Sequence, residues 1–150
     1  IGLAAMKGLV FPFNKPIAGV SSLDVLAGSI KEEGIVCPVV DARRGLVYSA
    51  IYEANAIRRG RYLLVTIEEL LKRIKIKKKI TFLGDALPLY QGIIRDKLGK
   101  RCEFAKEDAW YPLPENLLER VREKIRSGKL TDSYKLVPLY LYPKECQVEK

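Results

Sequence analysis

Histidine is missing from this 150-residue chain, and its absence excludes several kinds of chemistry together. These residues can form neither a Ser-His-Asp triad, nor a Cys-His dyad, nor a metal site with histidine ligands. The three cysteines, Cys37, Cys102 and Cys146, lie far apart without a C-x-x-C pair, which favours neither a disulfide framework nor a zinc site. We therefore expect no catalytic residue of these kinds, no resident metal and a reducing, cytoplasmic environment.

Long apolar runs are absent as well. No stretch approaches the roughly 20 residues of a membrane span, and the first residues lack the charged region and cleavage site of a signal peptide. The chain is 48% hydrophobic and 30% charged with only 11 Gly and 8 Pro, which excludes disordered and collagen-like classes. We expect a globular chain of one domain's size that has no membrane partner.

Positive charge, by contrast, is plentiful. The chain has 27 Lys plus Arg against 18 Asp plus Glu, which gives a net charge of +9. A potential of this sign holds polyanions such as RNA near the surface without reading their bases. The densest basic segment, residues 72–79, is typical of a solvated face, so we expect it to add at most non-specific affinity for RNA.

The first 34 residues predict a helix, a short strand and a second helix. Residues 1–11 are apolar except for Lys7 and end before a proline, as a helix does. A short apolar strand is predicted over 17–20. Ser21, followed three residues later by Asp24, resembles a capping box that begins the second helix, and Gly34 lies where its C-cap is expected.

Residues 35–128 predict the order strand, strand, strand, helix, strand, helix, strand, helix. The strands are predicted at 35–40, 46–54, 61–65, 80–83 and 102–104, and the helices at 67–74, 86–98 and 114–127. A Thr66-x-x-Glu69 capping box begins the first of these helices. The last helix places Leu117, Leu118, Val121 and Ile125 on one face, which we expect to point inward. An apolar tail strand is predicted over 136–143.

This order predicts an α/β fold, an RNase H-like lobe. An antiparallel three-stranded meander is extended by parallel strands through helical crossovers, which gives a mixed sheet with flanking helices. We assign this lobe and its C-terminal tail to residues 35–150. Residues 1–34 match the last helix, strand and helix of the same order, so we interpret them as the remnant of a first lobe.

Carboxylates at two strand ends leave a nuclease as the alternative function. Asp41 and Asp85 follow the first and fourth strands of the lobe, where RNase H-type nucleases hold metal-binding carboxylates, with Glu68 or Glu69 on the intervening helix. Two-metal chemistry requires such groups to converge on ions about 4 Å apart. Against this, the capping box uses Glu69, and aspartate is common in a Gly-Asp turn. A basic RNA-binding fragment is the other form of this alternative.

The turn after the first strand of the lobe is a second candidate site. Asp41, Arg43 and Arg44 precede Gly45 in this turn, where arginines can contact a phosphate or a partner protein. We favour contact over catalysis for all three residues.

Four segments carry a resemblance to the TsaB (YeaZ) family, which has the duplicated lobe of the actin, sugar kinase and Hsp70 (ASKHA) superfamily. They are IGLAAMKGL at 1–9, GVSSL at 19–23, DARRGLVY at 41–48 and PLYL at 138–141. The third, directly after an apolar strand, is the most specific. The family's first-lobe sheet and Gly-rich segment have no counterpart, so the resemblance implies an N-terminally truncated fragment. Tyr142 stands where the family usually has Arg.

The resemblance implies a function without catalysis. TsaB proteins are bacterial partners of TsaD, the ATP-using transferase that makes threonylcarbamoyladenosine in tRNA, and they work with the ATPase TsaE. A chain without histidine cannot supply the His pair that holds the metal in TsaD. We therefore expect a scaffold that binds TsaD-like and TsaE-like proteins and contacts tRNA only indirectly or weakly. It would have no cofactor of its own, and nucleotide only at a partner interface. The family's older glycoprotease label is disfavoured.

The resemblance also implies that the first helix is the partner surface, because TsaB meets TsaD or a second copy of itself through first-lobe helices. The residues agree with this, since small and large apolar side chains give the helix more apolar surface than one sheet face covers. We expect a homodimer when other partners are absent. The predicted interface residues are Gly2, Leu3, Ala5, Met6, Leu9 and Val10.

Overall fold

The sheet of this protein follows the predicted order. The structure, a computed structural model, describes residues 1–75 and 78–142. Cys146, the last residue of the predicted tail strand and two positions of the basic segment 72–79 lie outside these residues. The helices are α1 (Gly2–Val10), α2 (Ser22–Ala27), α3 (Ile67–Arg73), α4 (Leu87–Leu98) and α5 (Pro114–Arg126); the strands are β1 (Ile35–Asp41), β2 (Val47–Glu53), β3 (Ile57–Val65), β4 (Ile80–Leu83) and β5 (Cys102–Phe104).

The five strands lie in the order β3-β2-β1-β4-β5. β1, β2 and β3 form an antiparallel meander, while β4 pairs in parallel with both β1 and β5. The mixed RNase H-like sheet is therefore confirmed. The Thr66 cap of α3 is confirmed too, since the Thr66 hydroxyl accepts the Glu69 amide at 3.3 Å.

The two faces of the sheet are covered by different helices. Successive residues of β1 divide between two apolar clusters, Cys37 joining the larger and Val36 the smaller. The larger cluster includes Leu70 of α3 and Ile94 of α4, and the smaller includes Leu26 of α2. Cys37 is fully buried and packs as a small apolar residue, and this burial raises the pKa of its thiol to about 12.

Two predicted strands are wrong. Residues 17–20 form only a single bridge, in which Ile17 and Thr131 exchange backbone hydrogen bonds of 2.9 Å. Residues 136–142 are not a strand either, and Val137 and Tyr140 are exposed. A strand requires a neighbouring ladder, and the described residues provide none here. Leu136 instead packs against Gly19, where a Cβ would lie 2.7 Å from its Cδ1.

Strand β3 is longer than predicted, and α2 is shorter. β3 begins at Ile57 rather than at residue 61, because Arg58 and Arg59 lie on the sheet edge, where charged side chains stay solvated. The register shifts between Ser49 and Ile51, opposite the segment that holds Gly60. α2 ends at Ala27, and its C-cap is Gly28 instead of Gly34.

The apolar face of α5 does not point inward as predicted, and of its four residues only Val121 is half-buried. Leu117, Leu118 and Ile125 are exposed, whereas Asn116 is the buried residue of the helix. The Asn116 amide donates to Ser29 Oγ at 2.9 Å, so α5 meets the region of α2 through its polar side. Among the described residues, no helix has both the length and the apolar character needed to cross a bilayer.

Candidate functional site

Helix α1 places the predicted interface residues on an open surface. None of its residues is buried; Leu3 and Val10 are half-buried, while Gly2, Ala5, Met6 and Leu9 are exposed. A Cβ built on Gly2 or Gly8 would meet no atom within 4 Å. The helix therefore offers another chain a mostly apolar surface.

The C-terminal segment holds α1 in place. Lys7 Nζ donates to the Tyr134 carbonyl at 3.3 Å, and the Phe11 and Tyr134 rings meet edge to face with centroids 5.3 Å apart. These contacts lie on the Lys7 side and at the end of the helix. The exposed residues of α1 stay available for other contacts.

The turn between β1 and β2 has a specific backbone shape. Arg43, Arg44 and Gly45 have φ values of 64°, 54° and 74°, a left-handed run that is unusual for arginine. Asp41 stabilises it, because its Oδ1 accepts the Arg43 amide at 2.8 Å and its Oδ2 pairs with the Arg43 guanidinium at 3.2 Å. This turn presents the two arginine side chains to solvent.

The carboxylates of the nuclease alternative are partly brought together. Asp85 Oδ1 accepts the Asp41 backbone amide at 2.9 Å, so Asp85 acts as a brace between β4 and the end of β1. Glu68 and Glu69 lie in the first turn of α3, where the Glu69 amide is capped by Thr66. Within residues 1–75 and 78–142, no group of three or more acidic or cysteine side chains could hold a metal ion.

Tyr142 contacts the same turn. Its hydroxyl donates to the Ala42 carbonyl at 2.6 Å, and its ring meets the Tyr48 ring edge to face with centroids 6.2 Å apart. Burial, with Tyr142 as a lesser cause, raises the pKa of Tyr48. Tyr142 therefore fastens the C-terminal segment to the β1–β2 turn.

A polar cluster around Asp24 was not predicted from the sequence. Its Oδ1 and Oδ2 each accept a tyrosine hydroxyl at 2.7 Å, one from Tyr52 and one from Tyr62. Burial followed by the hydrogen bond to Asp24 raises the pKa of both tyrosines. The sequence predicted Asp24 only as part of a capping box, which does not indicate this role. The cap itself is present, because Ser21 Oγ accepts the Leu23 amide. The one available signal is Tyr52 in a buried strand, because a buried hydroxyl needs a partner.

Comparison with known proteins identifies the family. A model described as "TsaD: tRNA N6-adenosine threonylcarbamoyltransferase" matches residues 1–145. The chain is also 30% identical, over 156 aligned positions, to the tRNA threonylcarbamoyladenosine biosynthesis protein TsaB of Bacillus subtilis (strain 168). That alignment covers 99% of this chain and 66% of the relative, so the chain spans just under two thirds of the relative's length.

Solved structures share the fold. YeaZ from Pseudomonas aeruginosa superposes with a TM-score of 0.70 at 18% identity, covering 93% of this chain and 66% of that one. A second P. aeruginosa structure, of a protein described as similar to peptidase YEAZ, gives a TM-score of 0.71 at 18% identity over 94% of this chain and 66% of that one. The family model, the TsaB relative and the shared fold agree, and the chain belongs to the TsaB/YeaZ family.

Proposed function

We propose that this chain is a partner protein in the synthesis of threonylcarbamoyladenosine in tRNA, and that it binds the TsaD-type transferase without catalysing the transfer. The observation that carries the proposal is the 30% identity to a TsaB protein, in an alignment that covers 99% of the chain. The absence of histidine supports it, because these 150 residues cannot provide the His pair that the resemblance implies for TsaD.

Helix α1 is the surface that we propose for this contact. Burying an exposed apolar face against a partner stabilises the complex by roughly 25 cal/mol for each Å² removed from water. The open positions at Gly2 and Gly8 would let a partner helix approach the backbone closely. In the absence of a transferase, we propose that a second copy of the chain covers the same face. A TsaE-like protein would join this assembly through other surfaces.

The β1–β2 turn is proposed as a second contact. Its left-handed backbone and the Asp41 hydrogen bonds hold Arg43 and Arg44 toward solvent in a defined arrangement. Such arginines suit a carboxylate of the partner or a phosphate. A nucleotide at the shared interface, rather than a cofactor on this chain alone, is consistent with that chemistry, as is weak contact with tRNA.

A sedimentation experiment with matched variants tests the proposal. Leu9→Glu and Leu89→Glu each place a charge at a leucine that is 65% exposed, the first on α1 and the second on α4. We expect Leu9→Glu to weaken association with a purified TsaD-type transferase by several kcal/mol, because an unpaired charge at an apolar interface is costly. Leu89→Glu should associate like the parent chain, and association should resist added salt.

Three results would each contradict part of this proposal. Equal association of both variants would remove α1 from the interface. Magnesium-dependent RNA cleavage by the chain alone, abolished by Asp41→Asn or Asp85→Asn, would favour the nuclease. Salt-sensitive RNA binding without cleavage and without transferase association would instead favour the RNA-binding alternative.

A further inference from the structure

A charged cleft lies between the start of α2, the β2–β3 connection and α5. Its volume is about 170 Å³, against the roughly 10–15 Å³ that one water molecule requires. Three cationic side chains line it, from Arg58, Arg120 and Lys124, together with the carboxylates of Asp24 and Glu123. The cleft has room for a multi-atom ligand and an excess of positive charge.

Both carboxylates of the cleft are already engaged by protein groups. Each Asp24 oxygen accepts a tyrosine hydroxyl at 2.7 Å, and Glu123 Oε2 pairs with Arg120 NH1 at 3.1 Å. Arg58 stacks over the Tyr62 ring, 4.0 Å from its centroid. Arg58 also donates through NH1 to the Gly60 carbonyl, so both signs of charge have protein partners here, and the three cations against two carboxylates leave the cleft with a net positive charge.

Arg120 carries the most specific observation. Its side chain is only 15% exposed, and its NH1 also donates to the Asn55 carbonyl at 3.4 Å. Its Nε, however, is buried and has no hydrogen-bond partner within the described part of the chain. Buried donors are almost always satisfied by protein, water or ligand, so this N–H is open to an acceptor, such as water or a ligand, from beyond the described residues.

The backbone beside Arg120 is strained. Asn55 and Ala56 have φ values of 58° and 52°, a left-handed conformation that is rare for alanine. This turn supplies the Asn55 carbonyl to Arg120 and places Ala56 in the cleft wall. Backbone strain of this kind clusters at ligand sites, which agrees with a built site rather than an incidental surface depression.

We propose that this cleft binds a phosphate group, with Arg120 Nε, Lys124 and Arg58 as its donors. A phosphate offers several oxygens to donors converging from different directions, and guanidinium groups match its geometry. The phosphate could belong to a free nucleotide or to an RNA backbone. The proposal is independent of the partner surface on α1, and Leu9→Glu should bind phosphate as the parent chain does.

The test titrates inorganic phosphate into the parent chain and three variants by calorimetry. Arg120→Lys keeps the charge but deletes the Nε donor, and Lys124→Gln removes a cation at a half-buried position. Arg122→Gln is the matched control, since it removes a charge from an exposed position on the same helix outside the cleft. We expect the first two variants to weaken binding about tenfold, or about 1.4 kcal/mol, and the control to leave it unchanged.

Two further titrations distinguish the phosphate sources. AMP that binds more tightly than phosphate, with the same dependence on the variants, assigns the site to a nucleotide. If Lys124→Gln weakens the binding of a short single-stranded RNA and Arg122→Gln does not, the site is assigned to a nucleic-acid backbone. The proposal is overturned if phosphate shows no saturable binding, if all four proteins bind equally, or if a phosphate-soaked crystal holds only water on Arg120 Nε.

Discussion

Helices α3 and α5 have similar apolar stripes, but the stripe of α3 is buried and most of the stripe of α5 is exposed. Leu70 of α3 is fully buried, and Ile67 beside it is 1% exposed. On α5, Leu118 is 55% exposed and Ile125 is 56% exposed. α3 lies on the sheet face that it shares with α4, whereas α5 contacts α2 and, through Asn116, the Ser29 hydroxyl just after that helix.

The comparison shows what an amphipathic pattern specifies. It predicts that the helix has an apolar face, but it does not specify which element of the structure covers that face. α3 follows the strand meander directly, so the sheet is its neighbour. α5 follows β5 at the far edge and meets the short helix α2, and Asn116 makes a polar contact with Ser29 just after it. Helix α1 resembles α5 in this respect, since its apolar residues are also exposed.

The largest expected effect is the difference between two leucine truncations. Leu70→Ala creates a cavity in the core and should lower the free energy of unfolding by about 2–5 kcal/mol. Leu118→Ala, on the exposed face of α5, should change it by about 0.5 kcal/mol or less. Urea unfolding at low protein concentration measures both. Equal losses would mean that the α5 stripe is buried in solution.

The second-largest effect is expected at Asp24 of α2, which accepts the Tyr52 hydroxyl. Tyr52→Phe deletes a hydrogen bond to a carboxylate and should cost about 1.5–3 kcal/mol at pH 8. The folded-state pKa of Tyr52 is raised by burial and by Asp24, so the unfolded chain releases this proton first, at about pH 10. Stability supplied by the neutral tyrosine is complete below that pH and is lost as the pH rises further.

The difference between parent and Tyr52→Phe should therefore shrink above pH 10. Urea unfolding at pH 8, 10 and 11 checks this, with Tyr140→Phe, on an exposed side chain, as the control. A difference that stays constant over this range would contradict the coupling between Tyr52 and Asp24.

A smaller effect is expected where α5 meets the region of α2. Asn116→Ala removes the amide that donates to Ser29 Oγ, and a double-mutant cycle with Ser29→Ala isolates the pair. We expect a coupling of about 0.5–1.5 kcal/mol. A coupling of zero would show that the polar side of α5 is not its docking face.

The smallest effect concerns the exposed pair of Lys31 and Glu119, which also joins α5 to the segment after α2. The ammonium donates to Glu119 Oε2 at 2.8 Å, and this hydrogen bond lowers the pKa of the Glu119 carboxyl. Lys31→Ala should return that pKa toward its ordinary value without a resolvable change in stability, since exposed pairs contribute little. A carboxyl NMR titration, repeated with added salt, measures the pKa of Glu119 in the parent chain and in the variant.

Much of the fold was predictable because its signals are local. The alternation of β2, the Thr66 cap and the Gly84-Asp85 turn after β4 each depend on residues within a few positions of one another. Edge strand β3 was predicted too short because its arginines resemble a loop in the sequence. The strand at 17–20 was wrong because pairing depends on a neighbour that no local pattern describes.

The site was predictable only in part. The exposed apolar residues of α1 and the turn at Asp41, Arg43 and Arg44 follow from composition and family resemblance. The cleft could not be predicted, because its lining combines Asp24, Arg58 and Arg120 from three distant parts of the chain.

The sequence by itself determined the order of helices and strands, and with it the mixed sheet, because caps, turns and periodicity act between near neighbours. Only the tertiary structure decided which apolar faces are covered and which polar groups find partners. Asp24 meets Tyr62 across 38 positions, and Arg120 meets Asn55 across 65. Burial and hydrogen bonding depend on such distant approaches, which the packing of the sheet and its helices creates.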